Sequence, residues 1–176
     1  EKREESLKLK ADGNERFGAG DYKEAIDFYS EALVRCPPRF AEDRAVYFAN
    51  RAACSMKLED YEGAIEDCDL ALDQQPDYAK ALYRRAWCHE KKEETWEKAL
   101  EDYQNLLKLE PQNKTAQEAV KRLPVMINER NEKMKNEMMG KLKDLGNLVL
   151  KPFGLSTDNF KLEPQPGGGY SVSMQK

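Results

Sequence analysis

Six side chains able to hold a negatively charged group stand at helical spacings in this 176-residue sequence. Lys10 and Asn14 are four residues apart, and so are Lys80 and Arg84, which puts each pair on one face of a helix. Asn50 and Lys57 are seven apart, two turns along one side. Three lysines, one arginine and two asparagines turned into one cavity would suit an anion with two neighbouring carboxylates. The cations supply charge, and the amides supply directed donors that do not repel one another. A hydrogen bond to a charged group contributes roughly 1.5–3 kcal/mol before ordering costs. Several together, less the cost of immobilising a flexible peptide, predict an affinity of about micromolar, or roughly −8 kcal/mol, weakening with salt.

Other chemistries find less support. No nucleophile–base arrangement, phosphate loop or paired carboxylate stands out, so the expectation is a binding protein without a cofactor rather than an enzyme. His89 is the one histidine and reads as a packing residue. Cys36, Cys54, Cys68 and Cys88 contain no CxxC pair, which argues against zinc and against a redox dithiol. They read as small buried thiols of a reducing, cytoplasmic compartment. With 29 basic and 33 acidic residues the net charge is −4, which disfavours nucleic acid as a partner. No apolar run is long enough to cross a membrane. The first residue is Glu1 rather than methionine, which suggests a trimmed start.

The elements that must position these groups come from an internal repeat. Asp21-Tyr22-Lys23-Glu24-Ala25-Ile26, Asp60-Tyr61-Glu62-Gly63-Ala64-Ile65 and Thr95-Trp96-Glu97-Lys98-Ala99-Leu100 align, and a proline follows each alanine by twelve residues, at Pro37, Pro76 and Pro111. The alanine intervals, 39 and 35, fit a unit of about 34 residues with small insertions. Gly13, Ala52 and Ala86 would let the first helix of each unit, helix A, lie close to its neighbour. Ala25, Ala64 and Ala99 would do so for the second, helix B. Tyr29 and Tyr103, with Cys68 as a smaller substitute, would fill the space between helices. Hydrophobic residues are 40% and charged residues 35%, with a mean hydropathy of −0.87, a balance that suits thin helical arrays.

These phrases resemble the tetratricopeptide-repeat (TPR) family over roughly residues 6–112. The implied fold is an all-α solenoid of helix-turn-helix repeats at about 6–39, 45–78 and 79–112, with A helices lining the concave side. Leu106, where alanine is usual, and a long first turn, 36–42, depart from the pattern. Ala116, Val120, Leu123 and Ile127 then form a stripe suited to a capping helix, and 113–150 reads as that cap plus a helical extension. Pro124 is expected to mark a kink or the first turn of a new helix. Met134, Met138, Leu142, Leu145 and Val149 continue a stripe, read first as core against the repeats and otherwise as a partner-binding face. In the tail, 151–176, alternation at Phe160, Leu162, Tyr170, Val172 and Met174 around a Pro/Gly loop suggests a small β-hairpin, with a disordered tail as the alternative.

Within the family, Lys10, Asn14, Asn50, Lys80 and Arg84 resemble the carboxylate clamp of co-chaperone TPR domains. The resemblance implies that they hold the C-terminal EEVD sequence of the 90-kDa and 70-kDa heat-shock chaperones. Lys10, Asn14 and Asn50 would take the terminal carboxylate. Lys80 and Arg84 would take the last aspartate or nearby backbone, with Lys57 assisting. Residues upstream of the last four would meet Phe17, Ala53, Met56, Tyr83 and Trp87, although several of these could simply pack between repeats. Arg51 and Arg85, next to clamp residues in sequence, point elsewhere and read as ion-pair partners. The segment 141–160 is similar to one subfamily of cytosolic TPR adaptors, linked to heat-shock chaperones and to small and heterotrimeric G-protein subunits. The rival reading is therefore a scaffold that takes a folded GTPase or other client on its outer face or tail. A self-inhibitory tail is disfavoured, because Ser173-Met174-Gln175-Lys176 lacks acids.

Overall fold

A computed structural model gives the fold and describes residues 1–164 and 170–174. Seven α-helices are present among them: α1 (Lys2–Ala19), α2 (Tyr22–Arg35), α3 (Ala41–Lys57), α4 (Tyr61–Gln74), α5 (Ala79–His89), α6 (Trp96–Leu109) and α7 (Lys114–Leu150). Two strands, β1 (Phe160–Pro164) and β2 (Tyr170–Met174), pair antiparallel, with Phe160 opposite Met174 and Leu162 opposite Val172. The hairpin expected from the alternation is therefore present, while its Pro/Gly-rich turn, 165–169, and the chain end, 175–176, lie outside the described residues. By compactness the chain divides into two units, Glu1–Ile127 and Asn128–Lys176.

In the first unit, helices α1 to α6 are three helix pairs in which each helix packs on the next, and α3 also reaches α5. The A helices are α1, α3 and α5; the B helices are α2, α4 and α6. Each B helix stops two residues before its proline, at Arg35, Gln74 and Leu109. The cause is the proline ring, which disfavours the helical conformation of the residue before it. Gly20, with φ 87°, closes α1 by donating to the Phe17 carbonyl at 3.1 Å, a left-handed conformation open to glycine. The first inter-repeat turn is shorter than expected: α3 already begins at Ala41. There Arg44 crosses back to donate to the carbonyls of Leu33 at 2.8 Å and Cys36 at 3.1 Å, satisfying the end of α2.

The small residues of the repeat do the packing assigned to them. Ala25, Ala52, Ala64, Ala86 and Ala99 are fully buried, Gly13 is buried, and Tyr29, Tyr103 and Cys68 fill the spaces between helices. Leu106 is also buried, in one cluster with Tyr103 and with Ala116, Ala119 and Leu123 of α7. No fourth repeat follows there, and the larger side chain meets the small residues that open α7.

Charge crosses the helix pairs in a repeated way. Arg51 of α3 forks onto Asp67 of its own B helix at 2.9 and 2.6 Å and reaches Ser30 of the preceding B helix at 3.0 Å. Arg85 of α5 does the same with Asp102 at 2.9 and 2.7 Å and Asp69 at 2.5 Å. Ser30 and Asp69 each stand five residues after their repeat alanine. Both arginines are thus the ionic staples expected of them, one per repeat junction.

Pro124 neither ends nor restarts a helix: α7 runs unbroken through it. Its ring is exposed, and the carbonyl left without a donor belongs to Val120, one turn earlier. In the second unit the expectation of a core stripe is corrected. Met134, Met138, Leu142, Leu145 and Val149 are each more than half exposed. The face used instead is Lys143, Gly146 and Asn147. Asn147 Oδ1 accepts from the Thr157 amide at 2.6 Å and its hydroxyl at 2.9 Å, and Lys143 pairs with Asp158 at 2.7 Å. A Cβ on Gly146 would come within 2.7 Å of Thr157 Cγ2, so a glycine is needed for this approach.

Candidate polar groove on the A helices

Three A helices carry the polar groups singled out in the sequence. Lys10 and Asn14 lie on α1, Asn50 and Lys57 on α3, and Lys80 and Arg84 on α5. Asn14 stands at a junction: its Oδ1 accepts from the Tyr29 hydroxyl at 2.7 Å and from Asn50 Nδ2 at 3.3 Å. With the carbonyl oxygen engaged, the Asn14 amide nitrogen remains a donor. Arg84 donates to the carbonyl of Ala49, beside Asn50, at 2.6 Å, which ties α5 to α3. Burial pushes the Tyr29 phenol up to about 12, and the Arg84 charge opposes that rise, so the two groups are within electrostatic reach. Tyr29 is therefore a neutral donor at physiological pH.

Lys80 and Arg84 line a cavity of about 400 Å³ together with Tyr83, Glu110 and Asn113. Glu110 is an acid that the sequence reading did not place there, and Asn113 Nδ2 donates to its carboxylate at 3.0 Å. Among the described residues, Lys10, Lys57, Lys80 and Arg84 have no carboxylate at ion-pair distance. Lys10 is half-buried one turn before Asn14, while Lys57 is exposed at the end of α3. No hydrogen bond links either to the Asn14–Asn50 pair, so the pair and Arg84 are the connected part of the set.

The apolar positions are half-buried, and four of them take part in core packing. Phe17 meets Tyr22 edge-on at 5.4 Å and packs against Ala25, Tyr29 and Cys54. Met56 and Trp87 pack against Ala52 and Cys68, and Trp87 also carries the Lys91 ammonium 3.7 Å above its ring. Tyr83 stands edge-on to Tyr103 at 6.5 Å. Ala53 is half-buried beside them in sequence.

Two participants besides Glu110 were missed. Tyr29 was read as a spacer, but its hydroxyl fixes Asn14. The signal was Gly13, whose added Cβ would fall 2.8 Å from Tyr29 Cε1, so glycine is what lets the ring come near α1. The Ala49 carbonyl had no signal, because backbone acceptors look alike in a sequence. The cysteines are all buried, and burial pushes the Cys54 and Cys88 thiols up to about 11, which keeps them protonated.

A family model for the tetratricopeptide repeat matches residues 80–113. The TPR domain of Arabidopsis OM64 superimposes with a TM-score of 0.63 at 34% identity, covering 70% of this chain and 98% of that one. The chain belongs to the tetratricopeptide-repeat family. Another TPR structure, the first TPR of Spaghetti (RPAP3) bound to the HSP90 peptide SRMEEVD, is 31% identical with a TM-score of 0.64, over 71% of this chain and 97% of that one. The second TPR domain of human RPAP3, in complex with the HSP70 peptide SGPTIEEVD, is 29% identical with a TM-score of 0.63, covering 70% and 98%. The unc-45 homolog B of Danio rerio is 37% identical over 126 residues, 72% of this chain but 13% of that protein. This TPR chain spans 12–26% of the length of the curated relatives it matches. The family is one of protein-interaction domains.

Proposed function

We propose that this chain is an adaptor, not an enzyme, whose A-helix groove takes the extreme C-terminus of a heat-shock chaperone ending in EEVD. The observation that carries the reading is the Asn14–Asn50 contact, with Arg84 fastened beside it at Ala49. Lys10, Asn14 and Asn50 receive the terminal carboxylate, Lys80 and Arg84 the final aspartate or nearby backbone, and Lys57 assists. The exposed sides of Phe17, Ala53, Met56, Tyr83 and Trp87 meet residues upstream. The RPAP3 structures support the choice of ligand, since both hold peptides ending in EEVD, one from HSP90 and one from HSP70. The finer assignment, to the tetratricopeptide repeat protein 1 group, rests on the 141–160 segment, and four reduced thiols fit a cytoplasmic setting. Calorimetric titration with the C-terminal peptides of both chaperones, free and amidated, tests the reading. Amidation is expected to weaken binding at least tenfold; equal affinity for the two forms would overturn it.

A second reading is favoured by the exposed stripe of the second unit. Met134, Met138, Leu142, Leu145 and Val149 form an apolar face of a kind that folded partners cover. A client, such as a G-protein subunit, would dock there while the groove holds the chaperone. Met138→Asp with Leu142→Asp should then abolish client capture and leave EEVD binding intact.

A further inference from the structure

The α5 helix presents adjacent arginines to different neighbours: Arg84 to α3, and Arg85 between α4 and α6. On the Arg85 side lies a groove of about 600 Å³, larger than the Lys80–Arg84 cavity. Leu72, Pro76, Leu82 and Leu109 line it, so part of its surface is apolar. Its acid comes from Asp69, Asp73 and Asp77. Two basic groups also reach it: Arg85, ion-paired to Asp69 and Asp102, and Lys108, which donates to the neutral Asn105 side chain at 2.8 Å and so keeps its charge against the three acids. A smaller cavity of about 300 Å³ shares Asp69, Arg85 and Asn105 and adds Glu101, Asp102 and Lys98.

The charge here is not an accident of one turn. From Leu58 to Ala79 the chain carries eight acids (Glu59, Asp60, Glu62, Glu66, Asp67, Asp69, Asp73, Asp77) and no lysine or arginine. Ion pairs engage only Glu62, Asp67 and Asp69 among the described residues. Asp73 and Asp77 are exposed at the groove without a cationic partner. A chain needing only solubility would intersperse the two signs, since unopposed like charge costs stability.

We infer that this groove is a second peptide site, for a basic amphipathic segment of a partner protein. Leucine-like side chains would lie against Leu72 and Leu109, over the buried Leu82, and lysines or arginines would meet Asp73 and Asp77. The helix-in-groove mode uses such spacing, with apolar anchors three and four residues apart. The site is opposite in sign to the groove proposed for the chaperone tail, so one TPR unit could hold an acidic chain end and a basic segment together.

The probe is an 18-residue helix of leucine and lysine with leucines on one face, titrated into the full chain with and without a saturating peptide ending in EEVD. Binding to both at once is expected. Asp73→Lys with Asp77→Lys should weaken the leucine–lysine helix at least tenfold and leave EEVD-peptide binding and helical content unchanged. The control pair Asp27→Lys with Glu118→Lys, also exposed, should change its affinity less than twofold. Equal losses in the two pairs, equal binding of a lysine–serine peptide of the same charge, or competition by the EEVD peptide would each overturn the site. Self-association that Asp73→Lys with Asp77→Lys abolishes would give the groove to a second copy instead, and overturn it equally.

Discussion

Arg84 and Arg85 are neighbours in sequence and belong to two regions with opposite electrostatic habits. On the Arg85 side the arginines are neutralised: Arg51 and Arg85 fork onto Asp67 and Asp102, whose carboxylates are nearly buried. On the Arg84 side, Lys10, Lys57, Lys80 and Arg84 make no ion pair among the described residues, although Glu110 lines the same cavity as Lys80 and Arg84. A cation consumed by the protein's own carboxylate holds helices together, and one left without it is available to a ligand. The difference teaches that formal charge in a helical array says little until each cation is assigned to one of these habits. It also predicts that the two sides fail differently when mutated.

The largest effect belongs to the neutralised side. Asp102→Ala leaves Arg85 facing only the exposed Asp69, and breaking such a pair costs about 3–5 kcal/mol. Asp69 still offers a partner, so the lower end of that range is expected. Urea unfolding measures it, and the EEVD peptide should still bind whatever fraction is folded. A loss below 1 kcal/mol would mean that the staples do not carry the stacking.

Next in size is Arg84→Ala. It removes a cation from the groove and should cost the peptide about 1.5–3 kcal/mol, or roughly 10- to 150-fold in affinity. Stability should change less than for Asp102→Ala, because only the Ala49 carbonyl loses a donor. Arg85→Ala must show the reverse pattern, unstable but peptide-competent when folded. If the two arginines give the same profile, the division between the regions collapses.

Gly13→Ala sharpens the comparison, since Gly13 underlies both stacking and ligand geometry. The new methyl would press on the Tyr29 ring and should cost about 1–3 kcal/mol of stability. It would also shift the hydroxyl that holds Asn14. Tyr29→Phe isolates the second effect: the ring stays, the hydrogen bond goes, and peptide affinity should drop a few-fold with packing kept. Unchanged affinity in Tyr29→Phe would show that Asn14 needs no such support.

These residues mark how far the sequence could be read. The repeat was legible because its small residues and prolines answer to helix sterics, which are local and recur with the unit. Arg51 and Arg85 were separable from Arg84 because neighbours on a helix differ by about 100° in direction. Glu110 escaped because it comes from the end of α6, outside the A helices that were searched for groove residues. The α7 stripe was misread as core because periodicity shows that one face is apolar, not what covers it. The new helix expected at Pro124 is absent for a related reason: a proline on an exposed face removes one donor without stopping a long helix. The face of α7 that does pack, at Gly146 and Asn147, is small and polar and therefore has no hydrophobic signature.

The smallest effect expected is in pH, and it again falls on the Arg85 side. His89 is buried, with Nδ1 unpartnered, and burial lowers its basicity. Asp102 and Asp69 oppose that lowering, whereas Lys98 and Arg85 reinforce it. The unfolded chain then binds a proton more readily than the folded one, so stability falls as pH drops below the unfolded value of about 6.5 and levels off once the folded imidazole also titrates. His89→Gln should flatten the change in urea midpoint between pH 7 and pH 5.5, a window above most carboxylate titration. EEVD binding should show no matching step over the same window, because His89 does not line the Lys80–Arg84 cavity. A step in binding that vanishes in His89→Gln would mean that the neutralised and open sides are coupled through α5, and their separation would have to be given up.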